Sequence, residues 1–324
     1  MKVISVVSPC FNEEDNVEAC YETVKKIFAA ELPDYRLEHI FVDNCSTDRT
    51  VEILRGIAAA DPNVKVVVNA RNYGPFRSTF NGLRHATGDA TLVMLPVDLQ
   101  DPPELIPQFV RIWESGIEIV AGARSTREET FSMRLARGIF YRIVNALSDF
   151  EIQPDIGEFQ LIDRKVLAAV LAHDDHYPYI RGIIASCGFR RQVIHYTWRA
   201  RKRGVTKHNL PILIDQALNG IFAFTKAPMR FCTLAGFAIS AFCLLFALAV
   251  VVLYFLWPQV VPRGITTIIV ALFFLSGIQL IFIGILGEYV TAIHAQVRGG
   301  PRVIERETIN IGNETALPSP RTAA

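Results

Sequence analysis

The sequence predicts an α/β protein, a doubly wound and mostly parallel sheet, followed by interfacial helices and two transmembrane helices. Three observations carry this expectation. Short apolar runs alternate with helical periodicity over residues 1–125, polar clusters follow the apolar runs, and two long intervals near the carboxyl end hold no charged residue. Runs of buried-strand type separated by amphipathic stretches imply crossover connections, hence parallel strands covered on both faces.

Taken in order, Val3 to Val7, Ile40 to Val42, Val64 to Val68, Thr91 to Leu95 and Ile117 to Val120 read as strands. Val17, Cys20, Tyr21, Val24, Ile27 and Phe28 keep helical spacing between the first two, and Val51, Leu54 and Ile57 do so after Ser46-Thr47-Asp48, which offers hydroxyl and carboxylate caps. A proline-started helix is expected from Pro103 to Ser115. Ligands of such sheets bind beyond the carboxyl ends of the strands, where Asn12-Glu13-Glu14, Asp43-Asn44, Arg71-Asn72 and Asp98 all fall.

No charge occurs between Arg230 and Arg263, nor between Arg263 and Glu288. Each interval exceeds the roughly 20 apolar residues that cross a bilayer. The organisation expected is a domain over 1–210, a juxtamembrane surface helix over 211–229, spans over 230–257 and 264–290, and a tail over 291–324 that holds one strand-like piece, Arg302 to Ile311. Lys226, Arg230, Arg298, Arg302 and Arg306 flank the spans while the connecting turn holds only Arg263, so the positive-inside rule leaves both the large domain and the tail cytoplasmic. That makes a multi-pass protein of the inner (plasma) membrane. The amino-terminal apolar run is too short for a secretory signal, and six cysteines without a CxxC pair read as reduced thiols. A formal net charge of +1 supplies no field for gripping a long polyanion, which argues against nucleic acid as a partner.

Several residue types carry chemistry. Asp43, directly after the second strand, either accepts hydrogen bonds from a ligand or caps its own turn. In Asp98-Leu99-Gln100-Asp101-Pro102-Pro103-Glu104, two oxygen-bearing side chains one residue apart suit a shared divalent cation, although such a segment is also an ordinary loop into a helix. Arg124, Arg127, Arg134 and Arg137, and later Arg199, Arg201, Arg203 and Lys207, offer groups that suit phosphate oxygens or anionic lipid. His173-Asp174-Asp175-His176 is contiguous and polar with no further ligands nearby, which reads as a solvated loop.

The ordered set Ser8-Pro9-Cys10-Phe11-Asn12-Glu13-Glu14, Val42-Asp43-Asn44-Cys45-Ser46-Thr47-Asp48, Asn69-Ala70-Arg71-Asn72-Tyr73-Gly74, Asp98-Leu99-Gln100-Asp101-Pro102-Pro103-Glu104 and Gly157-Glu158-Phe159-Gln160-Leu161 resembles the family-2 glycosyltransferases. The branch is that of the polyprenyl-phosphate, dolichol-phosphate-mannose-synthase-like enzymes with two carboxyl-terminal membrane helices. The resemblance implies a GT-A fold, Mg²⁺ or Mn²⁺ as cofactor, and inverting transfer of one sugar from a nucleotide-sugar donor to a polyprenyl phosphate at the cytoplasmic face. UDP-glucose is the donor suggested by the branch, and homo-oligomerisation is left open. It also implies donor binding by Pro9, Asn12, Glu13, Asp43, Arg71, Arg201 and Lys207, with Asp43 reading the base, and metal binding by Asp98 and Gln100. Asp98, Glu158, Arg124 and Arg134 would be the catalytic set, the two arginines meeting the acceptor phosphate. Departures are Pro96 where the family's metal motif carries an aspartate, Glu158 where it carries Asp, Gln160 where it carries Arg, Trp198 where Arg is common, and Pro75 where many members carry Lys. A processive polysaccharide synthase, with more spans and a Gln-x-x-Arg-Trp motif, and an inactive nucleotide-sugar or lipid-binding scaffold, favoured by Pro96, are the competing readings.

Overall fold

A computed structural model of the chain describes residues 1–126, 155–173, 175, 178–199, 227–256, 265–297 and 302–312. Arg134, Arg201, Lys207, the surface helix before Ala227 and part of His173–His176 lie outside the described residues. The elements in order are β1 (Lys2–Cys10), α1 (Val17–Glu31), β2 (Tyr35–Asp43), α2 (Thr50–Ala60), β3 (Val64–Asn69), α3 (Pro75–Arg84), β4 (Ala90–Leu92), a 3₁₀ turn (Pro103–Leu105), and α4 (Ile106–Glu114). They continue with β5 (Ile119–Thr126), β6 (Ile156–Asp163), α5 (Arg164–Ala172), α6 (Ile180–Ser186), β7 (Arg191–Thr197), α7 (Ala227–Leu256), α8 (Ile265–Val297) and β8 (Glu305–Ile309).

The strands form one eight-stranded sheet in the order β7-β5-β6-β4-β1-β2-β3-β8. Pairings β1–β2, β1–β4, β2–β3 and β5–β7 are parallel, whereas β4–β6, β5–β6 and β3–β8 are antiparallel. Alternate side chains of β1 and β2 go to opposite faces. Ile4, Val6 and Phe41 join Val24, Phe28, Leu54 and Phe109 of α1, α2 and α4 in the main core, while Val7 and Val42 face α3. Ile4, Phe41, Leu54 and Phe109 are fully buried, a contribution of about 1.5–3 kcal/mol apiece. The helix α3 sits very close to the sheet because Gly82 lies there: a Cβ at that position would fall 2.5 Å from Val42 Cγ2 and 2.8 Å from Val7 Cγ1.

The periodicity of α1 is that of its buried stripe, Val17, Cys20, Tyr21, Val24, Ile27 and Phe28. Three local expectations shift. The Pro103–Ser115 helix opens as a 3₁₀ turn and becomes α-helical only at Ile106, with Pro107 in its first turn where a missing N–H costs nothing. The strand expected from Ile117 begins at Ile119, and the stretch expected as strand to Leu95 pairs regularly only from Ala90 to Leu92. Beyond Leu92 single bonds continue, Val93 N–H to Gln160 O and Leu95 N–H to Val7 O, both at 2.8 Å.

The described residues up to 199 and from 302 belong to one compact unit, and the long helices to another. The tail strand is therefore part of the sheet. α8 runs on to Val297 because nothing from Glu288 interrupts it before Gly299-Gly300-Pro301. Among the described residues one window, Phe274–Thr291 of α8, is long and apolar enough to cross a membrane.

Candidate active site

Four loops meet the carboxyl edge of the central strands, and backbone strain gathers there. Asn12 (φ 52°), Cys45 (φ 65°) and Leu99 (φ 54°) lie in the left-handed region, in the loops after β1, β2 and β4. Positive φ costs energy for residues with a Cβ, so the surrounding bonds must hold these turns in place.

The loops after β1 and β2 brace each other. Asn12 N–H donates to Ser46 Oγ (2.9 Å), while Asn12 Oδ1 accepts from the Thr47 N–H (2.8 Å). Glu13 N–H donates to Thr50 Oγ1 (2.9 Å), and Glu14 Oε2 accepts from the Arg49 N–H (3.0 Å). Asp48 Oδ1 accepts from the Thr50 N–H at 3.0 Å, one residue ahead of the cap position Arg49, which itself has no side-chain cap bond. Ser46 is used differently: its N–H donates to Asp43 Oδ2 (3.0 Å) and its hydroxyl serves Asn12. Glu13 faces inward to its own loop, accepting from Asn16 Nδ2 (2.6 Å). Pro9, paired with Val42 near the end of β1, withholds an N–H only where the ladder is about to stop.

Asp43 is fully buried. Its Oδ2 is taken by the Ser46 turn, yet Oδ1 meets no hydrogen-bond partner among the described residues. Burial pushes its carboxyl above the usual range, against the bonds from Ser46 and Cys45 that pull it down. A buried acceptor with one unused oxygen at a ligand-binding edge is a preformed place for an N–H donor. The turn-capping reading of Asp43 thus applies to Oδ2.

Asn44, beside it, carries the bracing onward. Its Oδ1 accepts from the Tyr73 N–H (2.9 Å) and its Nδ2 donates to Asn72 Oδ1 (2.8 Å), which also accepts from the Gly74 N–H (2.9 Å). Gly74, at φ 84°, makes the turn into α3 that a Cβ would strain. Arg71 is exposed, with its guanidinium 4.1 Å from the centre of the Tyr73 ring.

Beside β4 the turn Pro96–Leu99 closes through Leu99 N–H to Pro96 O (3.0 Å), and Asp98 Oδ1 accepts from the Gln100 N–H at 3.3 Å. Gln100 is tied to the end of β7 by Arg199 N–H to Gln100 O (3.0 Å). No group of three or more His, Cys, Asp or Glu able to hold a metal occurs among the described residues. The donor set is thin: Asp98 and the Gln100 amide oxygen are hard ligands, Pro96 adds none, and Asp101 is occupied elsewhere. These two side chains are chemically compatible with a divalent cation, which would need further oxygen ligands from elsewhere.

Asp101 lies within the same acidic segment, yet no sequence pattern assigns it a role. It is 2% exposed, bonded by Arg124 Nη2 at 3.2 and 3.3 Å and by the Tyr196 hydroxyl. Arg124 Nε also donates to the Tyr196 Oη (3.3 Å), and its guanidinium lies 5.1 Å from the Trp198 ring centre. Burial opposes the Arg124 charge, but Asp101 and Tyr196 outweigh it and hold the group more firmly protonated. Burial first, and Asp101 second, push the Tyr196 hydroxyl well up. Arg124 is thus ion-paired inside the protein, with its side chain 24% exposed. Glu158, near the start of antiparallel β6, comes toward the same edge and stands 3.9 Å from Arg181 Nε of α6. No sequence signal pairs Asp101 with Tyr196, since 95 residues separate them.

Comparison with known proteins gives a consistent picture. Residues 5–171 match the model of the family described as glycosyl transferase family 2. The chain is 32% identical to the uncharacterized glycosyltransferase YkcC of Bacillus subtilis, over 96% of this chain and 95% of that protein. It is 33% identical to the bactoprenol glucosyl transferase of Shigella phage SfII, over 94% of this chain and 98% of that one. Among solved structures, glucosyl-3-phosphoglycerate synthase of Mycobacterium tuberculosis in complex with Mn²⁺, UDP and phosphoglyceric acid superposes with a TM-score of 0.46 at 21% identity, over 67% of this chain and 75% of that one.

Proposed function

The chain belongs to glycosyl transferase family 2, and from that premise we propose that it is a membrane-anchored, inverting GT-A enzyme that transfers glucose from UDP-glucose to a polyprenyl phosphate. The observation that carries the donor half is the buried Asp43 carboxylate with Oδ1 unused at the carboxyl edge. The N–H of a uracil ring would satisfy it, with Pro9, Asn12, Glu13 and Arg71 around the nucleotide. The acceptor half draws on the similarity to bactoprenol glucosyl transferases, which match nearly end to end.

A lipid monophosphate has a second pKa of about 6 and is mostly dianionic at neutral pH, so it attacks the sugar carbon with little help from a base. The protein's task is to position the reactants and to offset charge on the leaving nucleotide diphosphate. Asp98 and Gln100 would hold Mg²⁺ or Mn²⁺, which when bound supplies positive charge at that diphosphate. Arg201 and Lys207 would meet the same phosphates, while Arg134 would meet the acceptor phosphate. Arg124 is assigned the acceptor side as well, where it must share its charge between Asp101 and the incoming phosphate. Glu158 would act as the carboxylate of that side.

Two spans are supported by the tail. Because β8 is bonded to β3 within the amino-terminal sheet, the intervening chain must leave and re-enter on the same side of any membrane that it crosses. Crossings therefore come in pairs. Phe274–Thr291 fits one of them, and we assign the other to α7 on its lack of charge from Phe231 to Leu256. Leu234, Phe237, Leu272 and Leu280 stand 62–71% exposed, as lipid-facing residues would. The juxtamembrane helix over 211–229 and the cytoplasmic placement of the domain and tail complete the reading.

Thermal shift against UDP-glucose, UDP-N-acetylglucosamine, UDP-galactose and GDP-mannose with Mn²⁺ tests the donor. UDP-glucose at 100 times its Kd should stabilise by about 2.7 kcal/mol. A response to GDP-mannose alone would replace the base assignment. For topology, a membrane-impermeant thiol reagent on intact cells should label a cysteine placed at Gln259 but not one placed at Ser319, and the reverse would invert the orientation.

A further inference from the structure

The strand that follows the long helices does more than cover a sheet edge. β8 pairs antiparallel with β3 from Val66 opposite Ile309 to Asn69 opposite Glu305, with a bulge at the end nearest the site. Side chains fix it to three neighbouring elements. Glu307 takes a two-pronged contact from Arg55 of α2, at 2.6 and 3.1 Å. Glu305 Oε1 meets His85 Nε2 (2.7 Å) and accepts from Asn81 Nδ2 (2.8 Å), both on or just after α3. Asn310, at φ 59°, donates to the Ala58 and Val64 carbonyls at 2.7 and 2.9 Å.

Just before the strand, Ile304 grips the loop after β3 with both backbone groups. Its carbonyl accepts from the Ala70 N–H (2.8 Å), and its N–H donates to the Tyr73 hydroxyl oxygen (3.2 Å). Tyr73 in turn gives its own N–H to Asn44 Oδ1 and carries Arg71 over its ring. Asn44 is the neighbour of Asp43. Hydrogen bonds therefore run from the tail through Tyr73 to Asn44, next in sequence to the residue with the unused carboxylate oxygen.

We propose that Tyr73 is a positioning residue for the nucleotide, and that the returning tail, through Ile304, sets the loop carrying Arg71 and Tyr73 in its donor-binding arrangement. The proposal deepens the nucleotide-sugar reading and rests on it. Its chemical content is an ordering effect on that loop, and the ligand it favours is a nucleoside diphosphate held at the ends of β1 to β3. Fixing the loop beforehand removes an ordering cost from binding, so losing the bond weakens ground-state affinity while leaving the chemical step alone.

The test uses the full-length protein in lipid nanodiscs, with UDP as the binding probe and both substrates varied in turnover assays. Tyr73→Phe keeps the ring under Arg71 and removes the acceptor of the Ile304 N–H. It should raise the UDP Kd and the donor KM by about fivefold, as expected for one hydrogen bond, with kcat and the acceptor KM unchanged. Ile304→Pro removes the donor of the same bond, so the double variant should be no worse than the weaker single variant. Wild-type affinity in Tyr73→Phe, or equal changes in kcat and both KM values, would overturn the proposal alone. Absence of UDP binding by the wild-type protein would overturn the nucleotide-sugar reading together with it.

Discussion

The ends of β1, β2 and β3 are braced mainly by uncharged hydrogen bonds among Asn12, Ser46, Thr47, Asn44, Asn72 and nearby backbone. The Asp98 loop, by contrast, is flanked by a buried charge pair, Asp101 with Arg124, completed by the Tyr196 hydroxyl. The proposed nucleotide side is made of short uncharged side chains that tie together the loops following neighbouring parallel strands. The side facing the proposed cation and acceptor depends on one charge pair, Asp101 with Arg124, and on a hydroxyl, that of Tyr196, 95 residues from Asp101. Neutral bracing survives the loss of one bond at modest cost. A buried pair does not, because removing one partner strands the other away from water.

The largest effect should come from Asp98→Asn. A neutral amide cannot offset a cation's charge as a carboxylate does, so turnover should fall by orders of magnitude while the apparent Tm stays near wild type. Near-normal turnover would move the cation elsewhere and erase the contrast between the two sides. Next is Asp101→Ala, which leaves the partly buried Arg124 without its carboxylate and should cost about 3 kcal/mol in stability, the low end for a buried pair. Asn44→Ala, the matching cut on the neutral side, should cost about 1–3 kcal/mol. Denaturant or thermal unfolding of the two variants side by side checks the ranking, and equal losses would break it.

The neutral side still has a pH limit. His39 on β2, bonded to Ser8 Oγ at 2.9 Å, is lowered by burial from 6.5 to about 3. Between those values the unfolded chain binds a proton that the folded protein refuses, so stability is complete above pH about 6.5 and falls as pH drops toward about 3, by about 1.4 kcal/mol per unit. His39→Gln should flatten that slope when apparent Tm is followed from neutral to mildly acidic pH. A slope unchanged by the substitution would assign the acid sensitivity to other groups. The smallest effect belongs to Glu104→Ala, which removes the exposed Arg199 contact at 3.0 Å and should shift stability by no more than about 1 kcal/mol.

Much of the nucleotide side is legible in the amino-acid sequence. β1, β2 and β3 announce themselves as apolar runs, α1 as a periodic stripe, and the polar residues after each strand are contiguous with it. Asp43 can be placed at an edge from its position alone. Its division of labour, one oxygen on Ser46 and the other unused, cannot, because that depends on how the turn folds. The charged side is far less legible. Antiparallel β6 lies between β4 and β5, which no local pattern signals, and Asp101 finds Arg124 and Tyr196 only once β5 and β7 pair. The tail is readable as a strand from Arg302 to Ile311, yet nothing near it in sequence names β3 as its partner.

The central claim is sugar transfer to a lipid phosphate, and direct detection of the product tests it best. Purified full-length protein with UDP-glucose, undecaprenyl phosphate and Mn²⁺ should yield a lipid carrying one glucose through a single phosphate, detected by mass spectrometry, with UDP released in equal amount and product lost on chelation. Transfer to a growing polysaccharide in place of the lipid, or nucleotide-sugar binding without any glucosyl lipid from any of the nucleotide sugars tested for binding, would contradict the account.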